Sequence, residues 1–74
     1  MSKLGNVRPR DVLRALKKHG FVEIKTVGSH VDLRHPAGYR TTVPFHSKTL
    51  GKGLLAKILK QSHLTIDELR ILMK

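Results

Sequence analysis

The sequence predicts a two-layer α+β domain in which a three-stranded antiparallel sheet carries its helices on one face, in the order helix, three strands, helix, short helix. Three observations predict it. Apolar residues at helical spacing open and close the chain, alternating runs rich in β-branched residues fill its middle, and Gly or Pro separates one kind of segment from the other.

The first helix is expected over residues 9–19, after a loose lead-in. Pro9 sits where a missing N–H is tolerated and Asp11 where the helix dipole favours an acid. Val12, Leu13, Ala15 and Leu16 form one stripe, while Arg10, Arg14, Lys17 and Lys18 project outward. Gly20 supplies the left-handed residue that commonly ends a helix. Residues 21–27 read as a half-buried strand, Gly28-Ser29 as punctuation, and residues 30–34 as a second strand. Its alternation sends Val31 and Leu33 to the core and leaves His30, Asp32 and Arg34 together on the other face. The segment 35–38 holds Pro36 and Gly38 and reads as a hairpin turn. A third strand spans about 39–45, with Pro44 ending it or lying on an edge. After a glycine-flanked connector over 50–53, Leu54, Leu55, Ile58 and Leu59 mark one face of a second helix over 54–61, with Lys57 and Lys60 opposite. Thr65 and Glu68 form a capping box opening a terminal helix over 66–73, which should pack Ile66, Leu69 and Leu72 on the core. Residues 1–74 are read as a single domain without repeats or linkers.

A chain of 74 residues hides only about 60% of its unfolded surface, so its core is small. No cysteine is present, which excludes disulfides and zinc knuckles. The longest apolar runs fall far short of a membrane span. Lys3, Arg8 and Arg10 precede no apolar stretch, which argues against a secretory signal and for a cytoplasmic protein. Fifteen basic against five acidic residues give a formal charge of +10, which makes nucleic acid the default partner. An acidic protein partner is the plainer alternative. A membrane surface is discounted because no helix carries a large aromatic-rich apolar face.

Within that positive field, His30 is the residue that carries chemistry. A base that titrates near neutrality, set where phosphates concentrate, is what a metal-free ribonuclease needs. It can take the proton from a ribose 2′-hydroxyl while cations stabilise the charge on the phosphoryl oxygens. Lys25, Arg34 or Arg40 would hold the phosphate, the strand register deciding which. A surface histidine on a strand is the plainer reading. His19, His35, His46 and His63 fall on different elements without ligand spacing, so neither a metal nor another cofactor is expected. His46 follows the third strand and reads either as a second acid or phosphate contact or as a solvated loop residue. Ser29 lacks a base-and-orienter pair and points opposite to His30, so it shapes the turn. Gly28 marks a place where the backbone bends or approaches RNA closely. With Phe21 assigned to the core, only Tyr39 and Phe45 remain to stack bases, which predicts weak sequence preference.

Several segments together resemble a known family: His19-Gly20-Phe21 after the first helix, Gly28-Ser29-His30 opening the second strand, Thr41-Thr42-Val43-Pro44 followed by His46, and Ile58-Leu59-Lys60-Gln61 leading to Leu64-Thr65. In this order they cover most of the chain, which resembles the HicA toxins, also called YcfA-like messenger-RNA interferases. The resemblance implies a fold similar to double-stranded-RNA-binding domains, a metal-independent endoribonuclease acting on mRNA, and a HicB-type antitoxin that sequesters it. By position His30 inherits the catalytic role. Gly28, Ser29, Lys25, Arg34, Arg40, His46, Lys48 and Lys52 are the RNA-binding candidates. Lys48 and Lys52 lie near the start of the second helix, where such a domain grips phosphates. Three positions depart from the family pattern. Val31 stands where many relatives place a second histidine, Leu54 where a helix-starting Thr is usual, and His63 where a helix-ending Gly is usual. A non-catalytic RNA-binding module of the same fold is the alternative from another class, and a pure interaction protein is a third.

Overall fold

The computed structural model describes residues 7–45 and 48–74. The elements run α1 (Pro9–Lys18), β1 (Val22–Val27), β2 (His30–Arg34), β3 (Arg40–Pro44), α2 (Lys52–Ser62) and α3 (Ile66–Leu72). The strands form one antiparallel sheet in the order β1-β2-β3. This is the expected α+β architecture, consistent with the fold of double-stranded-RNA-binding domains. Val31, Leu33 and Val43 of the sheet join Val12, Ala15 and Leu16 of α1, Leu55 and Ile58 of α2 and Leu69 of α3 in one core. Each Val, Leu or Ile side chain so buried contributes roughly 1.5–3 kcal/mol.

Both longer helices end in the same way. After α1, Gly20 takes φ +109°, its N–H reaching Lys17 O at 3.1 Å and Phe21 N–H reaching Leu16 O at 3.0 Å. After α2, His63 takes φ +58° and Leu64 N–H reaches Leu59 O at 3.0 Å. In each case the left-handed residue lets the next, buried side chain turn back onto the helix. His63 therefore does adopt the conformation that glycine takes more cheaply. The C-terminus is tied back to α1, since Lys18 Nζ donates to Leu72 O at 3.2 Å and Lys74 O at 3.1 Å.

At α3 the capping box is complete: Glu68 N–H donates to Thr65 Oγ1 at 3.1 Å and Thr65 N–H donates to Glu68 Oε1 at 2.8 Å. Thr65→Ala is expected to cost about 1 kcal/mol, which thermal denaturation would show as a fall of about 4–8 °C in Tm.

Three expectations are corrected. α2 begins at Lys52 behind Gly51, so Leu54 lies inside the helix and is not its cap. Leu54 and Ile66 belong to the right helices but stand 37% and 45% exposed, because neither is covered by a neighbouring element. The expected half-burial of the first strand fails entirely: every residue of β1 is exposed. Between Glu23 and Lys25 the register shifts, and this bulge inserts Ile24 as an extra residue and breaks the alternation.

Candidate nucleic-acid interface

Period-two alternation in β2 puts Val31 and Leu33 into the core, so His30, Asp32 and Arg34 must share the face that no helix covers. Cross-strand pairing then sets their neighbours. Val27, His30 and Pro44 form one row, Lys25, Asp32 and Thr42 the next, and Val22, Arg34 and Arg40 the third. A depression of about 340 Å³ crosses this face, lined by Ile24, Lys25, Asp32, Arg34, Arg40 and Thr42, with Leu33, Thr41 and Gln61 completing it. Gln61 is held there by Thr41, whose hydroxyl donates to its Oε1 at 2.9 Å.

The charge on this face follows from where the acids lie. Of the five acidic residues, Asp11 and Asp67 pair with Arg14 and Arg70 within their own helices, Glu68 serves the cap, and Glu23 lies 3.0 Å from Lys17. The Lys17 ammonium, by hydrogen bond and charge, holds the Glu23 carboxyl below its ordinary value. A lowered folded value means that this exposed pair supports folding above the ordinary carboxylate range and ceases to as pH falls through the lowered value. Only Asp32 remains on the open face, where it accepts a hydrogen bond from Thr42 Oγ1 at 2.6 Å. Among the described residues Lys25, Arg34 and Arg40 have no ion-pair partner, so the face keeps a surplus of positive charge.

His30 is exposed, and among the described residues its ring has no hydrogen-bond partner. His35 is the opposite case. Its Nδ1 accepts from Ala37 N–H at 3.0 Å, which leaves the proton on Nε2, 3.0 Å from His19 O. With both nitrogens committed, His35 is a structural residue. The rings of His19, Phe21, His35, Tyr39 and His63 stack against one another near the other end of β2, Tyr39 and His63 at 3.8 Å. Sequence reading placed these histidines on separate elements and missed the stack. Among the described residues no group of three or more His, Asp or Glu could hold a metal ion.

The remaining candidates are dispersed. Gly28 turns the chain from β1 to β2 at φ +61°, with open space around it. Ser29 lies with Leu13, Glu23, Thr26, Val31 and Phe45 around a groove of about 320 Å³ on the helix side, away from His30. Lys48 and Lys52 are both exposed, Lys52 as the first residue of α2. They belong to the segment that leaves β3 at Pro44, the residue opposite His30. His46 lies outside the described residues. Of the two aromatic candidates, Phe45 is half exposed, whereas Tyr39 is held between His35 and His63. Ile24, Thr42 and Gln61 line the depression without having been singled out as contact residues. The hairpin was the signal for Thr42, since its register aligns Thr42 with Asp32, and no local pattern pointed to Ile24 or Gln61.

Among the described residues no helix is long and apolar enough to cross a membrane. A search of the curated proteins gives no match. A family model described as the HicA toxin of bacterial toxin-antitoxin matches residues 9–64, from the start of α1 past the end of α2, so that all three strands and His30 fall inside it. The chain belongs to the HicA toxin family of bacterial toxin–antitoxin systems, a membership that implies an antitoxin partner.

Proposed function

We propose that this chain acts as one unit, a metal-independent endoribonuclease toxin that cleaves messenger RNA in the cytoplasm, with His30 as general base and a HicB-type antitoxin as its inhibitor. The observation that supports it most is the exposed, uncommitted imidazole of His30 on an open sheet face that also carries Lys25, Arg34 and Arg40.

In this reaction His30 takes the proton of a ribose 2′-hydroxyl, and the 2′ oxygen attacks the adjacent phosphorus. The bond from phosphorus to the 5′ oxygen breaks, and that oxygen leaves with a proton from water. The products are a 2′,3′-cyclic phosphate and a 5′-hydroxyl. Strand geometry separates the roles of the cations. Lys25 lies opposite Asp32, one same-face position from His30, whereas Arg34 and Arg40 lie about 13 Å along the strands. Lys25 is thus the cation for the reacting phosphate, and the paired arginines hold a more distant part of the backbone.

Incubating the purified protein with labelled RNA and a chelator tests the reading. Cutting supports the enzyme. Retention of RNA without cutting favours the binding module, the second reading, which the lack of a group orienting the His30 ring among the described residues supports.

Backbone contact by the arginines carries its own test. Measured across salt concentrations, RNA binding by Arg34→Ala/Arg40→Ala protein should fall less steeply, the slope of log affinity on log salt shrinking by about 0.7 to 0.9 per lost contact. An unchanged slope would place the RNA elsewhere.

A further inference from the structure

β1 is built inside out. In an edge strand over a core, apolar residues turn inward and polar ones outward. Here Glu23 and Thr26 lie on the helix side, opposite Leu33 and Val31, where Thr26 Oγ1 donates to Glu23 Oε2 at 3.2 Å and Glu23 meets Lys17 of α1. The aliphatic residues face solvent on the other side. Val22 and Val27 share the rows of Arg34 and His30, and Ile24, set there by the bulge, lines the depression. They are 56%, 63% and 51% exposed. The two edges of the sheet also differ. β3 carries Pro44 and packs against α2, whereas β1 has no strand on its outer side among the described residues and contains no proline. A bare edge with exposed aliphatic side chains is what strand addition requires.

From this we infer that β1 is the docking strand for the antitoxin, which adds an extended segment along its free edge and covers Val22, Ile24 and Val27. The occupant is an acidic protein segment. Aliphatic side chains offer a nucleic acid neither charge nor a stacking plane, a formal charge of +10 opposes a second copy of the chain, and the row runs beside Lys25, His30, Arg34 and Arg40. Bound there, the segment extends the sheet beside β1, and its side chains on the open face stand next to Val22, Ile24 and Val27, one strand from His30. The inference rests on the existence of an antitoxin and not on ribonuclease activity.

The test uses the chain co-purified with its antitoxin. Hydrogen exchange should show those amides of residues 22–27 that do not bond β2 exposed in the free chain and protected in the complex. Ile24→Lys/Val27→Lys protein, changed only at exposed positions, should melt like wild type and bind the antitoxin at least about tenfold more weakly. Exchange at 22–27 unaltered by the antitoxin, wild-type antitoxin affinity in the variant, or dimers of the free chain through β1 would each overturn the assignment. Failure of RNA cleavage alone would count against the ribonuclease and leave these readouts standing.

Discussion

Purified His30→Ala protein is expected to melt like wild type and to cleave RNA at least about a hundredfold more slowly, since a positioned general base contributes roughly 10²–10⁴ in rate. The folding half of this expectation follows from exposure: His30 contacts solvent, and among the described residues its ring engages no partner. The rate half follows from the lack of a substitute on the same face among the described residues. His19, His35 and His63 are bound into the ring stack, and Val31, the neighbour of His30, is 4% exposed and faces the core. Melting curves and initial rates on one labelled RNA check both halves. A variant that cleaves within a few-fold of wild type would remove His30 from the chemistry.

Gly20→Ala is expected to be the most damaging single-methyl change, costing about 3 kcal/mol. The residue has φ +109°, where a Cβ costs at least about 1–2 kcal/mol. The same Cβ would stand 2.9 Å from His35 Nε2. His35 cannot swing aside cheaply, because its ring is bonded to His19 O and Ala37 N–H and packed against Phe21 and Tyr39. Losing the bond to His19 adds about 1 kcal/mol. For a domain of this size the sum corresponds to a fall of roughly 12–24 °C in Tm. Gly28→Ala is the control: φ is +61° but nothing lies within 4 Å, so only the backbone strain remains. Equal melting temperatures for the two variants would show that the contact with His35 does not matter.

What could be read from the sequence was whatever local chemistry dictates. The clean alternation of residues 30–34 put His30 on the face away from Val31 and Leu33, and the structure keeps it there. Gly20 and the Thr65–Glu68 box marked helix ends because their signals are contiguous. What could not be read depends on the third dimension. An extra residue in β1 reverses the faces of everything beyond it, and no local pattern announces a bulge at Ile24. Periodicity assigned Leu54 and Ile66 to apolar stripes but could not say where the covering elements stop. The ring stack joins residues from His19 to His63, a separation that no window of sequence spans. The proposed choice of a phosphate cation needed the register as well, which separates Lys25 from the Arg34/Arg40 pair.

The central claim, an unassisted imidazole driving attack by the neighbouring sugar hydroxyl, is tested most directly by the ends it leaves. RNA cleaved by the purified protein in the presence of a chelator should carry a 2′,3′-cyclic phosphate, or the phosphate formed by its opening, and a 5′-hydroxyl on the other fragment. Fragments ending in a 3′-hydroxyl and a 5′-phosphate, or cleavage of RNA whose 2′-hydroxyls are methylated, would contradict it.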